Sequence, residues 1–160
     1  MKKIQLSQTR VDVSCLCLGT LRFGTLNTYE QSAQLLDIYL EAGGMFIDTG
    51  NSYNQWSANG KGGESDIVVG RWLRERGKRD DIFIASKVGF GYEEVPDGLA
   101  ASTIISECDN SLKRLGIDHL DLYYAHKDDP HTPLEETLEA FYSLVKAGKV
   151  RFVGASNYYA

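Results

Sequence analysis

The chain has 160 residues, 42% of them hydrophobic and 24% charged, and a formal net charge of −5 at pH 7. These values suit one globular domain and exclude a disordered or low-complexity chain, while the negative balance would repel phosphate backbones and so excludes nucleic acid as a partner. No apolar run is long enough to cross a bilayer or to act as a secretory leader, and Cys15, Cys17 and Cys108 lack zinc or redox spacing, which fits reduced thiols in a cytoplasm.

Taken in chain order, residues 1–14 alternate Ile4, Leu6, Val11 and Val13, which predicts a two-stranded hairpin turning near Gln8–Arg10. From there a strand-then-helix pattern recurs about every 30 to 37 residues, the length of one βα unit of a parallel sheet. The strands are expected at Cys15–Thr20, Met45–Thr49, Ile82–Val88, His119–His126 and Val150–Ser156, short apolar runs of the kind covered on both faces. Cys15 and Cys17, two apart in the first of these, should share a face as small core residues.

The helices between them carry start and stop signals. Thr28 with Gln31, and Thr132 with Glu135 around Pro133, have capping-box spacing, and Gly43, Gly77, Gly116 and Gly148 stand where a left-handed residue ends a helix. Apolar stripes are expected at Ala101, Ile104, Ile105, Cys108, Leu112 and Leu115, and at Leu134, Leu138, Phe141 and Val145. The basic run from Arg71 to Arg79 is interrupted by Glu75 and followed by Asp80 and Asp81, which suits the solvated last turn of a helix.

Repeated βα units allow an open doubly wound sheet or a closed barrel. A doubly wound dinucleotide fold calls for G-x-G-x-x-G after the first strand, and Gly19-Thr20-Leu21-Arg22-Phe23-Gly24 does not supply it. Polar residues recur instead at the C-terminal ends of successive strands, where a barrel keeps its active site. Asp48 ends the second strand with Tyr53 five residues on, Lys87 ends the third and His126 the fourth.

Each of these residues has an ordinary explanation alone: a turn carboxylate, a packed tyrosine, a lysine reaching water, a hydrogen-bonded histidine. Parallel strands of a barrel bring all four to one mouth, where they make a workable carbonyl-reducing site. A phenol with an ordinary pKa near 10 is a weak acid, a neighbouring ammonium should lower that value, and Asp48 should keep the Lys87 ammonium charged.

This tetrad in this order resembles the aldo-keto reductases. So do Gly19-Thr20, Phe46-Ile47-Asp48-Thr49, Ala85-Ser86-Lys87-Val88 and Gly154-Ala155-Ser156-Asn157, so that the resemblance runs through nearly the whole chain. It implies an α/β fold, a (β/α)8 barrel of the TIM type, with residues 1–14 closing the barrel bottom and 15–160 forming its first five strands. It further implies Tyr53 as general acid, Lys87 and Asp48 tuning and holding it, and His126 orienting the substrate carbonyl. Gly19, Thr20, Ser156 and Asn157 would meet the nicotinamide cofactor, NADPH with NADH as the alternative. The expected partner is a small carbonyl substrate.

A complete barrel of this type needs about 250 residues. On this reading the remaining strand–helix units would carry the rest of the cofactor site, and the five-stranded piece alone should be inactive and should self-associate unless its C-terminal half covers the open edge. The rival reading is a non-catalytic or regulatory cofactor-binding scaffold of the same fold. Other constellations are weaker. His126, His131, Asp128 and Asp129 lack metal-site spacing, Gly60, Gly62 and Gly63 around Lys61 lack the Gly-Lys-Ser/Thr of a phosphate loop, and Trp56 suits either a substrate pocket or packing across the mouth.

Overall fold

The computed structural model describes residues 1–58 and 60–158, so the last two residues of the expected barrel portion lie outside the described residues. It begins with the expected hairpin, β1 (Lys3–Gln5) paired antiparallel with β2 (Asp12–Ser14), the register running from Lys3 opposite Ser14 to Gln5 opposite Asp12. Five parallel strands follow, β3 (Cys17–Gly19), β4 (Phe46–Asp48), β5 (Phe83–Val88), β6 (Leu120–Ala125) and β7 (Val150–Ala155). They alternate with α1 (Tyr29–Glu41), α2 (Glu64–Arg76), α3 (Ala101–Leu115) and α4 (Leu134–Lys146), with a 3₁₀ turn at Arg79–Asp81 before β5.

The strand order β3-β4-β5-β6-β7 follows the chain without a reversal. Residues of all four helices join outward-facing Ile47, Ile84, Val88 and Tyr123 in one core, so the helices cover a single face of the sheet. A doubly wound sheet would reverse its order and carry helices on both faces, whereas consecutive strands with one helical layer are the arrangement of a (β/α) barrel. The other face holds a smaller cluster in which the hairpin's Val13, Leu6 and Val11 pack on Phe46, Phe83, Leu122 and Phe152 at the N-terminal ends of the strands.

Local signals explain most element ends. Thr28 caps α1 with the reciprocal bonds of a capping box: the Gln31 amide donates to Thr28 Oγ1 at 3.3 Å, and the Thr28 amide donates to Gln31 Oε1 at 3.0 Å. Gly77 and Gly116 cap α2 and α3 in left-handed conformation, and Gly43 and Gly148, one residue past the α1 and α4 caps, also have positive φ. The second capping box does not form. Thr132 donates its hydroxyl to Asp129 Oδ2 at 2.6 Å, and Pro133 occupies the cap position without a side-chain bond; a proline has no amide to satisfy there.

Three burial expectations need correction. Cys15 and Cys17 are both exposed: Cys15 precedes β3 rather than lying in it, and Cys17 opens onto the inner face beside Asp48 and Lys87. Ile105 stands 39% exposed at the margin of an otherwise buried α3 stripe. In α4 Phe141 is buried, but Leu134 and Leu138 are 59% and 56% exposed. They face the flank of β7, the last strand of the sheet, where no further described element packs, so a stripe that matches α3 in sequence stays open on one side.

Candidate active site

β4 ends at Asp48, and an irregular turn from Thr49 to Ser52 carries the chain to Tyr53. The turn is held to β5 by the Thr49 amide on the Ala85 carbonyl at 2.9 Å and the Asn51 amide on the Lys87 carbonyl at 3.3 Å. In the parallel register Gly19 pairs with Asp48, and Lys87 with Tyr124, so these positions share the inner face of the sheet.

There the lysine, carboxylate and phenol meet. Lys87 Nζ lies 2.5 Å from Asp48 Oδ1 and donates to Tyr53 Oη at 2.7 Å and to the Thr49 carbonyl at 2.9 Å. Tyr53 donates its hydroxyl proton to Asp48 Oδ2 at 2.9 Å. Lys87 and Tyr53 are buried, at 7% and 8% exposure. An ammonium has three donors, and all three are used here within one pocket. His126, just past β6, sets its ring edge to face against Tyr53 with centroids 5.9 Å apart, and its Nδ1 is buried without a partner among the described residues.

The electrostatics differ in part from the sequence reading. Burial, reinforced by the Asp48 carboxylate, pushes the Tyr53 phenol above its ordinary 10 rather than below it, so the pull of the Lys87 ammonium is outweighed and the phenol is neutral. Burial lowers Lys87, and Asp48 opposes that shift. Burial, with the Lys87 charge adding to it, lowers His126 to about 4, which leaves a neutral imidazole at physiological pH.

The cofactor candidates fall on both sides of this pocket. Ser156 follows β7, with its amide on the Ala125 carbonyl at 2.9 Å, and lines a cavity of about 380 Å³ together with Cys17, Phe46, Asp48, Lys87, Tyr124 and Ala155. Asn157 donates its side-chain amide to the His126 carbonyl at 2.8 Å and to Ser156 Oγ at 3.0 Å. At Gly19 an added Cβ would meet nothing within 4 Å, so the position opens onto free space. Thr20 is different: it is fully buried, and its hydroxyl is engaged with Ser65 Oγ and the Asp48 carbonyl. Its side chain fixes the end of β4 rather than facing the pocket.

Sequence reasoning missed several contributors. The Thr49 carbonyl is a third acceptor for Lys87, and Phe90 sits edge to face on His126 at 4.7 Å between centroids. Backbone acceptors have no signature in a sequence, and Phe90 follows β5 in an irregular loop without periodicity. Trp56 is 62% exposed and does not pack across the mouth. Asp129, weighed above with the histidines, organises its own loop. It accepts from the Leu99 and His131 amides at 2.7 and 2.9 Å and from Thr132, which together hold its carboxyl down at about 2.

The sequence of residues 15–160 matches the model of the Aldo/keto reductase family. The chain belongs to this family. It is 36% identical to the uncharacterized oxidoreductase YrpG of Bacillus subtilis (strain 168), over 99% of this chain and 50% of that protein. It is 34% identical to the aldo-keto reductase yakc of Schizosaccharomyces pombe, whose name specifies NADP(+), over 88% of this chain and 41% of that one. A crystal structure of a thermostable aldo-keto reductase with the inhibitor epalrestat superposes with a TM-score of 0.82 at 32% identity, covering 99% of this chain and 54% of its own. The chain thus spans about half the length of the aldo-keto reductase relatives it matches.

Proposed function

We propose that the whole protein is a cytoplasmic oxidoreductase that reduces aldehydes or ketones to alcohols, with Tyr53 as the proton donor and NADPH preferred to NADH. The observation that carries this reading is the 2.7 Å contact from the Lys87 ammonium to the Tyr53 phenol oxygen inside a pocket that also holds His126. When bound, the reduced nicotinamide supplies the hydride for the carbonyl carbon. The residues present suit its nicotinamide end: Ser156 offers its hydroxyl at the cavity, Asn157 its amide oxygen beside it, and Gly19 at the end of β3 puts no side chain in the way. The preference for NADPH rests on the NADP(+) in the name of the Schizosaccharomyces pombe relative.

Each side chain then has a separate task. His126, neutral and with Nδ1 buried without a partner, avoids stranding a buried N–H by carrying its proton on Nε2, where it can donate to the substrate carbonyl oxygen. Tyr53 turns its hydroxyl away from Asp48 Oδ2 and gives its phenolic proton to that oxygen as negative charge develops on it. An alkoxide is more basic than any phenolate, so the transfer runs downhill even from a phenol raised by burial. The Lys87 ammonium, already on the phenol oxygen, stabilises the phenolate that remains, and Asp48 holds Lys87 in place.

The open flank implies a partner. Leu138, Phe141, Tyr142, Val145, Phe152 and Val153 line an apolar groove of about 740 Å³ beside β7, and β7 is an edge strand of the sheet. In the proposed enzyme the further βα units of the longer relatives cover this groove and complete the cofactor site. The experiment is to mix NADPH with a model aldehyde and follow loss of cofactor absorbance, using the whole protein and the 160-residue chain alone. The whole protein should turn over, while the chain alone should bind NADPH weakly, scatter light as an oligomer and gain activity when its C-terminal complement is added. Tight NADPH binding by the whole protein without any carbonyl reduction would point to the non-catalytic scaffold instead.

A further inference from the structure

Behind the catalytic turn, on the helical side of the sheet, lies a second ionic cluster. Asp66 of α2 and Glu107 and Arg114 of α3 meet there, with Asp66 and Glu107 at 0% and 1% exposure. Arg114 Nε donates to Asp66 Oδ2 at 3.1 Å, and its two terminal nitrogens reach Tyr92 Oη at 3.2 Å and Ser111 Oγ at 3.0 Å. Tyr92 donates to Glu107 Oε2 at 2.6 Å. Gly62 and Gly63 let the chain pass over this cluster: both have positive φ, and a Cβ would fall 2.3 Å from the Tyr92 ring in one case and 2.8 Å from the Arg114 side chain in the other.

Both carboxylates reach forward to the turn. Thr49 Oγ1 donates to Asp66 Oδ1 at 2.8 Å, and Asn51 Nδ2 donates to Glu107 Oε2 at 2.9 Å. Thr49 and Asn51 are fully buried and flank Gly50 in the stretch that joins Asp48 to Tyr53. Thr49 also presents its carbonyl to Lys87 Nζ. One guanidinium therefore bonds Asp66 directly and reaches Glu107 through the Tyr92 hydroxyl, with 3.9 Å between the charged groups, and each carboxylate anchors one side of the turn that sets the lysine–phenol distance.

We propose that Arg114 is a positioning residue for the active site: through Asp66 and Glu107 it fixes Thr49 and Asn51, and so keeps Tyr53 and Lys87 in contact. This rests on the carbonyl-reductase reading of the same pocket. Positioning of this kind is effective because displacement of a reacting group by about 1 Å can cost on the order of 100-fold in rate. Arginine suits the role through its planar fork of donors, which can serve several oxygens at fixed angles where an ammonium cannot.

The test uses the whole protein, because outright loss of Arg114 would leave two buried carboxylates without a counter-charge and could unfold it. Thr49→Val keeps the shape of the side chain and removes the donor to Asp66, whereas Thr49→Ser keeps the donor and removes a methyl. The proposal expects Thr49→Val to lower kcat by about ten-fold with KM and the NADPH Kd within about two-fold, and Thr49→Ser to stay near wild type. Arg114→Lys should lower kcat similarly, and adding Thr49→Val to it should lower kcat little further, since both act on one linkage. Crystal structures of both variants should show Lys87 Nζ to Tyr53 Oη lengthened beyond 2.7 Å.

The opposite pattern, an unchanged Thr49→Val with an impaired Thr49→Ser, would mean that the turn is held by packing and would overturn the proposal. So would an Arg114→Lys variant that melts earlier but keeps both kcat and the distance. If wild type reduces no carbonyl, the functional reading fails on its own, and the distances in the variants still decide whether Arg114 positions the pair.

Discussion

Two clusters on opposite sides of the same turn are built from the same parts. In the inner one Tyr53 donates to Asp48 and accepts from Lys87; in the outer one Tyr92 donates to Glu107 and accepts from Arg114. Burial raises both phenols above the ordinary 10, and in both the neighbouring carboxylate adds to the rise. The difference is position and the kind of cation. The inner triad lines a cavity at the strand ends and has a lysine, a compact charge that can follow a proton transfer; the outer one lies on the helical side of the sheet, against α2 and α3, and has an arginine that stays protonated. A phenol, a cation and a carboxylate in hydrogen-bond order are therefore not in themselves a catalytic site; of these two triads, the inner one lines the cavity at the strand ends beside His126.

The largest expected effect separates them by rate. Tyr53→Phe in the whole protein should lower kcat for carbonyl reduction by about 10²- to 10⁴-fold, the usual contribution of a positioned general acid, with the NADPH Kd close to wild type. Lys87→Met should bring a comparable loss, because it removes the charge that stabilises the phenolate. Substantial turnover by Tyr53→Phe would remove the distinction drawn between the two tyrosines.

A smaller effect concerns pH, since the inner pocket has a titrating histidine and the outer cluster has none in its hydrogen-bond network. His126 is lowered from 6.5 to about 4 in the folded protein, so the unfolded chain takes up its proton first as the pH falls. The sign follows directly: the neutral buried ring adds no penalty above about pH 6.5, and stability is lost progressively from there down to about pH 4, by on the order of 3 kcal/mol at most. Urea denaturation of wild type and His126→Gln at several pH values should show the difference between them changing in the variant's favour across this window. A constant difference would mean that His126 titrates normally.

How much of this was readable before the structure differs between the clusters for a physical reason. Asp48, Lys87 and His126 each close an apolar run, so strand ends and the parallel rule of a barrel bring them together without any coordinates; Tyr53 follows Asp48 by five residues and so reaches the same mouth, while its role as acid rests on the family resemblance. The outer cluster joins Asn51 to Glu107 across 56 positions and Asp66 to Arg114 across 48, and a charge within a helix reads as solvated unless its neighbour is known. One signal was available. Glu107, Ser111 and Arg114 recur at helical spacing beside the apolar stripe of Ile104, Cys108, Leu112 and Leu115, and Ser111 is as buried as the stripe. The exposure of Leu134 and Leu138 was out of reach for the converse reason, because a stripe shows which face wants cover and not whether a neighbour supplies it.

The smallest effect is the sharpest test of the comparison, because it removes the same atom from the other triad. Tyr92→Phe deletes a hydroxyl that bridges Arg114 and Glu107, but neither partner is left stranded. Glu107 keeps Asn51 on Oε2 at 2.9 Å and Asn110 on Oε1 at 2.7 Å, and Arg114 keeps Asp66 and Ser111. The loss should then be that of one hydrogen bond with its partners still satisfied, about 1 kcal/mol, which lowers the Tm of the whole protein by about 2 °C at most. Since Asp66 and Glu107 still hold Thr49 and Asn51, kcat should fall by no more than about three-fold, against about 100-fold or more for the corresponding change at Tyr53. Calorimetry and steady-state kinetics on the two single variants check both numbers. A rate loss at Tyr92 equal to that at Tyr53 would mean that the outer phenol takes part in the chemistry, and that its place on the helical side of the sheet does not separate the two sites.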